Sequence, residues 1–173
     1  MEMLSDILKI TLPALLVLIT AWVLIGRMIK NDQDRRRQEI VLQNSRTIVP
    51  IRLQAYERII LFLERISMES LLVRVNRQGM TAGQLHSTLL NTIRSEFEHN
   101  LSQQIYMTHQ AWEVIKSARS NTIKIINTVA GNLPESATGV DLSKSLLEHV
   151  MEVEKEPTQA AIEFVKAEIA RLL

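Results

Sequence analysis

The residues with the most chemical potential in this chain are Glu96-Phe-Glu-His99. On a helix, Glu96 and His99 stand three positions apart and share a face. Di-iron carboxylate bundles use this Glu-x-x-His spacing to offer a carboxylate and an imidazole to one metal ion. Such a centre needs a second Glu-x-x-His, and none occurs in the chain. The other histidines, His86, His109 and His149, have no ligand spacing between them and read as surface or capping residues. No metal and no cofactor is expected. Gly79 and Gly83 flank a helix start but lack the strand and lysine of a phosphate-binding loop, and no serine has a nucleophile-elbow context. The hydroxyl-rich run 117–122 reads as helix surface. The chain has no cysteine, which rules out thiolate chemistry, disulfides and cysteine metal sites. The residues therefore point away from an enzyme, with a carboxylate–histidine metal enzyme around Glu96 and His99 as the least favoured alternative.

The elements that would position these residues start from one stretch. Ile10 to Ile25 contains no charged residue. Sixteen helical residues rise only about 24 Å, short of the roughly 30 Å hydrocarbon core of a bilayer. A helix from about Leu4 to Ile29 closes the gap, with Lys9 and Arg27 snorkelling their charges outward and Trp22 near one interface. A basic collar follows: Arg27, Lys30, Arg35, Arg36 and Arg37. A cleaved signal peptide expects a positive leader and a small-residue cleavage site, whereas Glu2 and Asp6 lead here and Ile25-Gly-Arg-Met-Ile-Lys30 follows. The pattern predicts a retained single-pass span. By the positive-inside rule, the N-terminus is outside and the soluble part is cytoplasmic.

Net charge is +1, so no overall field points to a polyanion. Its distribution is uneven. Arg27 to Arg58 holds eight basic and four acidic residues, and Glu135 to Leu173 holds four basic and eight acidic. The basic part lies where anionic lipid headgroups would attract it, which makes the bilayer the expected partner of the collar. Aromatics are 4% of the chain, too few for base-stacking platforms, and nucleic acid is not an expected partner. No small-molecule substrate suggests itself.

Downstream, residues 31–49 read as a basic juxtamembrane stalk and 50–173 as one irregular all-α domain behind the 1–30 anchor. Pro50 predicts a new helix start. Ile51, Ala55, Ile59, Phe62, Leu63 and Ile66 form one apolar stripe, and a short helix follows over Ser70–Asn76. Thr81-Ala-Gly-Gln84 is a capping box, with Met80 and Leu85 as its hydrophobic staple. Leu85, Leu89, Ile93 and Phe97 then step by four, and 100–107 reads as a connector. Thr108 caps a helix with Ala111, Ile115, Ala118, Ile125 and Val129 inward. Asp141 caps the next, and Pro157 opens the last, which buries Ala161, Ile162, Val165, Ile169 and Leu172. Tyr56, Tyr106 and Trp112 read as aromatics of a bundle core.

Two segments, Arg52-Leu-Gln-Ala-Tyr-Glu-Arg-Ile-Ile-Leu-Phe-Leu-Glu-Arg-Ile66 and Glu96-Phe-Glu-His-Asn-Leu-Ser-Gln-Gln-Ile-Tyr106, together with the layout of span, collar and helical domain, resemble an uncharacterised family of bacterial single-pass membrane proteins. The resemblance implies a bacterial inner-membrane location and carries no activity. Both segments hold more polar residues than a core helix requires. Gln54, Tyr56, Glu57, Arg58, His99, Asn100, Gln103 and Gln104 are therefore a candidate polar network or partner surface. The functional expectation is a membrane-anchored scaffold or adaptor that binds a protein partner or self-associates. The alternative is a stalk-like subunit of a larger membrane complex, with a layout similar to the b subunit of ATP synthases.

Overall fold

The computed structural model describes residues 2–172, with side chains for all of these except 2–14, 17, 34, 37, 38, 40, 41, 44, 45 and 172. The elements are α1 (Glu2–Arg65), α2 (Met68–Val75), α3 (Ala82–Asn100), a 3-10 helix (Leu101–Tyr106), α4 (His109–Gly131), α5 (Gly139–Glu152) and α6 (Pro157–Leu172). Among the described residues there is no strand beyond one isolated bridge between Thr81 and Thr138. Packing divides the chain into Met1–Ile48 and Val49–Leu173, and each is taken by itself.

Met1–Ile48 contributes only α1 backbone. Every described side chain from Leu15 to Ile48 is exposed. Arg36 donates through Nε to Asp32 at 2.8 Å, one turn away. Among the described residues no helix is long and apolar enough to cross a membrane. The apolar run read from the sequence includes Ile10–Ala14 and Val17, whose side chains lie outside the described set, as does that of Arg37 in the collar.

α1 does not break at Pro50, and the helix start expected there does not occur. A proline costs a helix one backbone hydrogen bond and a clash with the preceding turn. The residues that follow are pinned in a helical phase by the core: Ala55, Tyr56, Ile59, Phe62, Leu63 and Ile66 are all buried. Burying one such side chain contributes about 1.5–3 kcal/mol, enough together to offset the proline. Ile51, expected on this stripe, is exposed.

The core of Val49–Leu173 is layered around that stripe. α3 contributes Leu85, Leu89, Ile93 and Phe97, stepping by four as expected. Phe97 is the meeting point of three helices, since its ring lies 5.9 Å from Phe62 of α1 and 5.6 Å from Trp112 of α4. In α4 the inward row runs Ile115, Ala118, Thr122, Ile126, Val129. Ile126 is fully buried and the expected Ile125 packs half-buried against the core. Thr122 is buried as well, with its Oγ1 donating to the Ala118 carbonyl at 3.0 Å. α6 buries Ala161, Ile162 and Val165.

Caps set where the helices start. Thr81 accepts from the Gln84 amide, and Gln84 Oε1 accepts from the Thr81 amide, completing the expected box. Thr108 caps α4 by accepting from the Ala111 amide at 3.1 Å. The α5 cap is Thr138, not Asp141. Asp141 sits three residues in, where its carboxylate accepts from the Thr138 hydroxyl and amide. Those two bonds, the hydroxyl first, hold the Asp141 carboxyl below the usual range. The starts of α3 and α5 are stitched side by side: Ala82 N–H donates to the Ala137 carbonyl at 3.0 Å, and Gly139 N–H to that of Met80 at 2.8 Å. A Cβ at Gly139 would stand 3.1 Å from the Met80 carbonyl oxygen, so a larger residue would have to push the two helix starts apart by a few tenths of an ångström.

α6 is clamped at both ends by carboxylates. Glu156, just ahead of it, accepts from the Met68 amide at the start of α2 at 2.6 Å. Glu168 accepts from Thr108 Oγ1, the α4 cap, at 2.8 Å, and its other oxygen accepts from the Tyr56 hydroxyl of α1. Each carboxylate reaches the N-terminus of a neighbouring helix, α2 for Glu156 and α4 for Glu168, where the backbone dipole favours negative charge.

Burial raises the Tyr56 pKa, and the hydrogen bond and charge of Glu168 raise it further, against an opposing effect of Arg52. Because the folded value exceeds the unfolded one, this contribution is fully present below about pH 10 and is lost as pH climbs through the folded value. Tyr56→Phe should lower unfolding free energy by about 1–2 kcal/mol in urea at neutral pH. The gap between wild type and Tyr56→Phe should narrow above about pH 10; a gap unchanged between about pH 8 and about pH 11 would contradict the assignment.

Candidate functional site

Glu96 ends up inside a charged knot rather than facing open space. Arg65 lies in the last turn of α1, Arg74 in the last turn of α2, and Glu96 near the end of α3. Glu96 Oε1 accepts from Arg65 Nε at 2.9 Å and Nη2 at 2.7 Å, and from Arg74 Nη1 at 3.1 Å. Arg74 Nη2 also donates to the Arg65 carbonyl at 3.0 Å, satisfying one of the carbonyls left over at the end of α1. The Glu96 side chain is 16% exposed. One partly desolvated carboxylate therefore holds the ends of two helices to a third.

One turn along, Arg58 Nη2 lies 3.3 Å from His99 Nε2. A guanidinium only donates, so the ring nitrogen is the acceptor in this contact. Glu96 and His99, paired by sequence spacing, thus turn to different arginines. Among the described residues no group of three or more histidines or carboxylates is gathered for a metal.

The candidate partner surface divides. Gln54, Glu57, Arg58, His99 and Gln104 are exposed, and of these Arg58 and His99 touch. Tyr56, Asn100 and Gln103 are buried and cannot serve as an open surface. Tyr56 is committed to Glu168, and Asn100 Nδ2 donates to the Glu96 carbonyl at 2.8 Å. Gln103 Nε2 contacts Ser102 Oγ at 3.3 Å, within a 3-10 helix where a connector was expected. That helix closes against α1, where Arg52 Nε donates to the Tyr106 carbonyl at 3.2 Å. In the collar, Arg27, Lys30, Arg35 and Arg36 are exposed.

Two open clefts of about 440 Å³ adjoin these features. One lies beside the Arg65–Arg74 knot and is lined by Glu64, Glu69, Ser70 and Val73 as well. The other lies where the start of α3 meets the end of α4, and there His86 Nε2 and Asn127 Oδ1 are 2.8 Å apart. Neither brings a nucleophile to a base. Arg119 of α4 stacks its guanidinium 4.1 Å over the Phe97 ring, with Nε buried and without an acceptor.

Sequence reasoning missed Arg65, Arg74, Glu156 and Glu168. Their partners lie 31, 22, 88 and 112 positions away, and no helical period links residues so far apart.

The knot predicts an asymmetric mutational response. Glu96→Ala leaves two guanidiniums without their shared acceptor and should cost about 1–2 kcal/mol. Arg65→Ala should cost under about 1 kcal/mol, because Arg65 is 47% exposed and solvent screens it. A double-mutant cycle between Glu96 and Arg74 in urea denaturation should return a coupling of at least about 0.5 kcal/mol; strict additivity would remove the knot as a stabilising unit.

No curated protein and no solved structure shows a significant match to this chain. A family model does match, over residues 2–172, which takes in the exposed apolar part of α1, the Arg65–Glu96–Arg74 knot and the α6 clamp alike. The chain belongs to a family of unknown function (DUF7935).

Proposed function

We propose that this protein is a non-enzymatic scaffold or adaptor, anchored in a bacterial inner membrane by the start of α1, with Val49–Leu173 on the cytoplasmic side as a protein-docking module. The observation that carries the reading is the all-round exposure of apolar residues in α1. Trp22, Val23, Leu24 and Ile25 are 78%, 44%, 63% and 58% exposed. Four consecutive helical residues point to every side of the axis, so no single neighbouring surface could cover them. A helix that is apolar all round needs a surrounding apolar medium, and a bilayer supplies one. The sequence supports the same reading, since the uncharged run begins at Ile10 and the basic collar from Arg27 favours the cytoplasmic, anionic side. For docking, the exposed set Gln54, Glu57, Arg58, His99 and Gln104 offers hydrogen-bonding groups on a well-packed support.

A second reading draws on the continuity of α1 over 64 residues. A stalk-like subunit of a larger membrane complex would use such a helix as a spacer, and its hallmark is stoichiometric co-purification with integral partners. The metal-enzyme alternative is disfavoured, because Glu96 Oε1 already accepts from two guanidiniums.

Alkaline carbonate extraction tests the anchor. The full-length chain should stay in the membrane pellet, and a Leu18→Arg/Leu24→Arg variant should lose most of that retention, since each arginine at mid-span costs about 2.5–3.5 kcal/mol. Complete release of the wild type by carbonate would defeat the anchor. Cross-linking in native membranes followed by mass spectrometry should recover a partner whose yield drops with Glu57→Ala/Arg58→Ala; recovery of monomer alone would defeat the docking role.

A further inference from the structure

α5 buries Leu142 and Leu146 in the core and turns a second apolar row the other way. Val140, Leu147 and Met151 are exposed, and Met151, at 85%, is the most open of the large apolar side chains among the described residues. With Lys144 they follow at spacings of four, three and four, which keeps them on one stripe of the helix. Asp141, Glu148 and Glu152, all exposed, run along one edge of that stripe. Lys144 is the one cation on it and lies 3.8 Å from Glu148. An apolar row with an acidic border fits a helix that carries an apolar row and basic charge. α1 has such a row. Leu42, Arg46, Val49 and Leu53 recur at the same spacings of four, three and four. Leu42, Arg46 and Leu53 are exposed, and Val49 is half-buried. From Arg35 to Ala55 the chain holds five basic residues and one acidic. Every described side chain from Arg35 to Ile48 is exposed, and helical residues without a packed face gain little stability in water.

We infer that α5 of one copy packs antiparallel against the Leu42–Leu53 row of α1 in a second copy, and that the exchange is reciprocal. Charge selects both the occupant and its direction. The acidic border of α5 attracts the basic stretch of α1 and repels an anionic lipid headgroup. Antiparallel alignment sets Leu42 against Met151 and Leu53 against Val140, and it brings Arg46 to Leu147 beside the Glu148 carboxylate. Parallel alignment would set Arg46 against Lys144, cation on cation, which the wrong register cannot offset. The matching spacings let the two rows interdigitate as the a and d positions of a short coiled coil do. A reciprocal exchange about a twofold axis closes the pair, so neither surface is left to propagate a filament. This inference names a surface that the tethered-docking reading does not use, and it does not rest on that reading.

The chain has no cysteine, so two single-thiol chains report on one contact without background. Full-length Leu42→Cys and Met151→Cys chains, with different tags, are co-expressed and mildly oxidised. They should join as a reductant-reversible heterodimer. Its yield should be about tenfold above that of Leu42→Cys with Val140→Cys, the pair a parallel alignment favours, or with Lys166→Cys on exposed α6. Glu148→Lys in the Met151→Cys chain should lower the yield about fivefold, and Arg46→Glu in its partner should restore it while circular dichroism stays unchanged. If Met151→Cys fails to fold, Leu147→Cys replaces it as the probe. Equal yields with all three thiols, or a Glu148→Lys loss that Arg46→Glu leaves in place, would overturn the contact. A doubly substituted chain that closes on itself, while the mixed pair stays separate, would overturn the second copy. Failure of the membrane anchor would show separately, in the carbonate extraction.

Discussion

Burial of one stripe of α1 is the constraint on which the rest of Val49–Leu173 depends. Ile59, Phe62, Leu63 and Ile66 are at most 1% exposed, and Phe62 meets Phe97, which in turn stacks on Trp112. This row of rings joins α1, α3 and α4 at one point. Aromatic side chains bury large areas with few rotatable bonds, so a short row of them fixes three helices at low entropic cost. The chain is poor in aromatics, and three of its seven aromatic side chains are spent here. The same burial holds α1 helical beyond Pro50.

Around that apolar centre, polar groups fix register. Three carboxylates make longer-range contacts with something a helix end leaves unsatisfied or with a charge near one. Glu156 takes the first amide of α2, Glu168 takes the cap hydroxyl of α4, and Glu96 holds arginines from the last turns of α1 and α2. The apolar core supplies most of the driving force but little direction, because hydrophobic burial tolerates sliding. The carboxylates supply direction, since their hydrogen bonds fail over fractions of an ångström.

The same accounting separates structural from functional polarity. Several of the residues that made the two polar segments conspicuous are spent internally: Tyr56, Asn100 and Glu96 each have a partner within the fold. What stays open to solvent is the remainder, Gln54, Glu57, Arg58, His99 and Gln104, together with the exposed apolar turns of α1.

The sequence by itself determined the all-helical class, the apolar stripes of α1, α3 and α6, and the Thr81 and Thr108 caps. All of these depend on residues within about four positions of each other, a range over which helical geometry is fixed. It did not locate the α5 cap, although Thr138 and Asp141 form a capping box of the same local kind as Thr81 and Gln84. It left out Ile126 and Thr122, which are buried beside the half-buried Ile125, because Thr122 looks polar on paper although its hydroxyl bonds within its own helix. Only the tertiary structure decided that Glu96 belongs to Arg65 and Arg74, that Tyr56 belongs to Glu168, and that Gln103 is buried. Those choices depend on how helices far apart in sequence come together, and a one-dimensional pattern carries no information about which distant charge will be nearest.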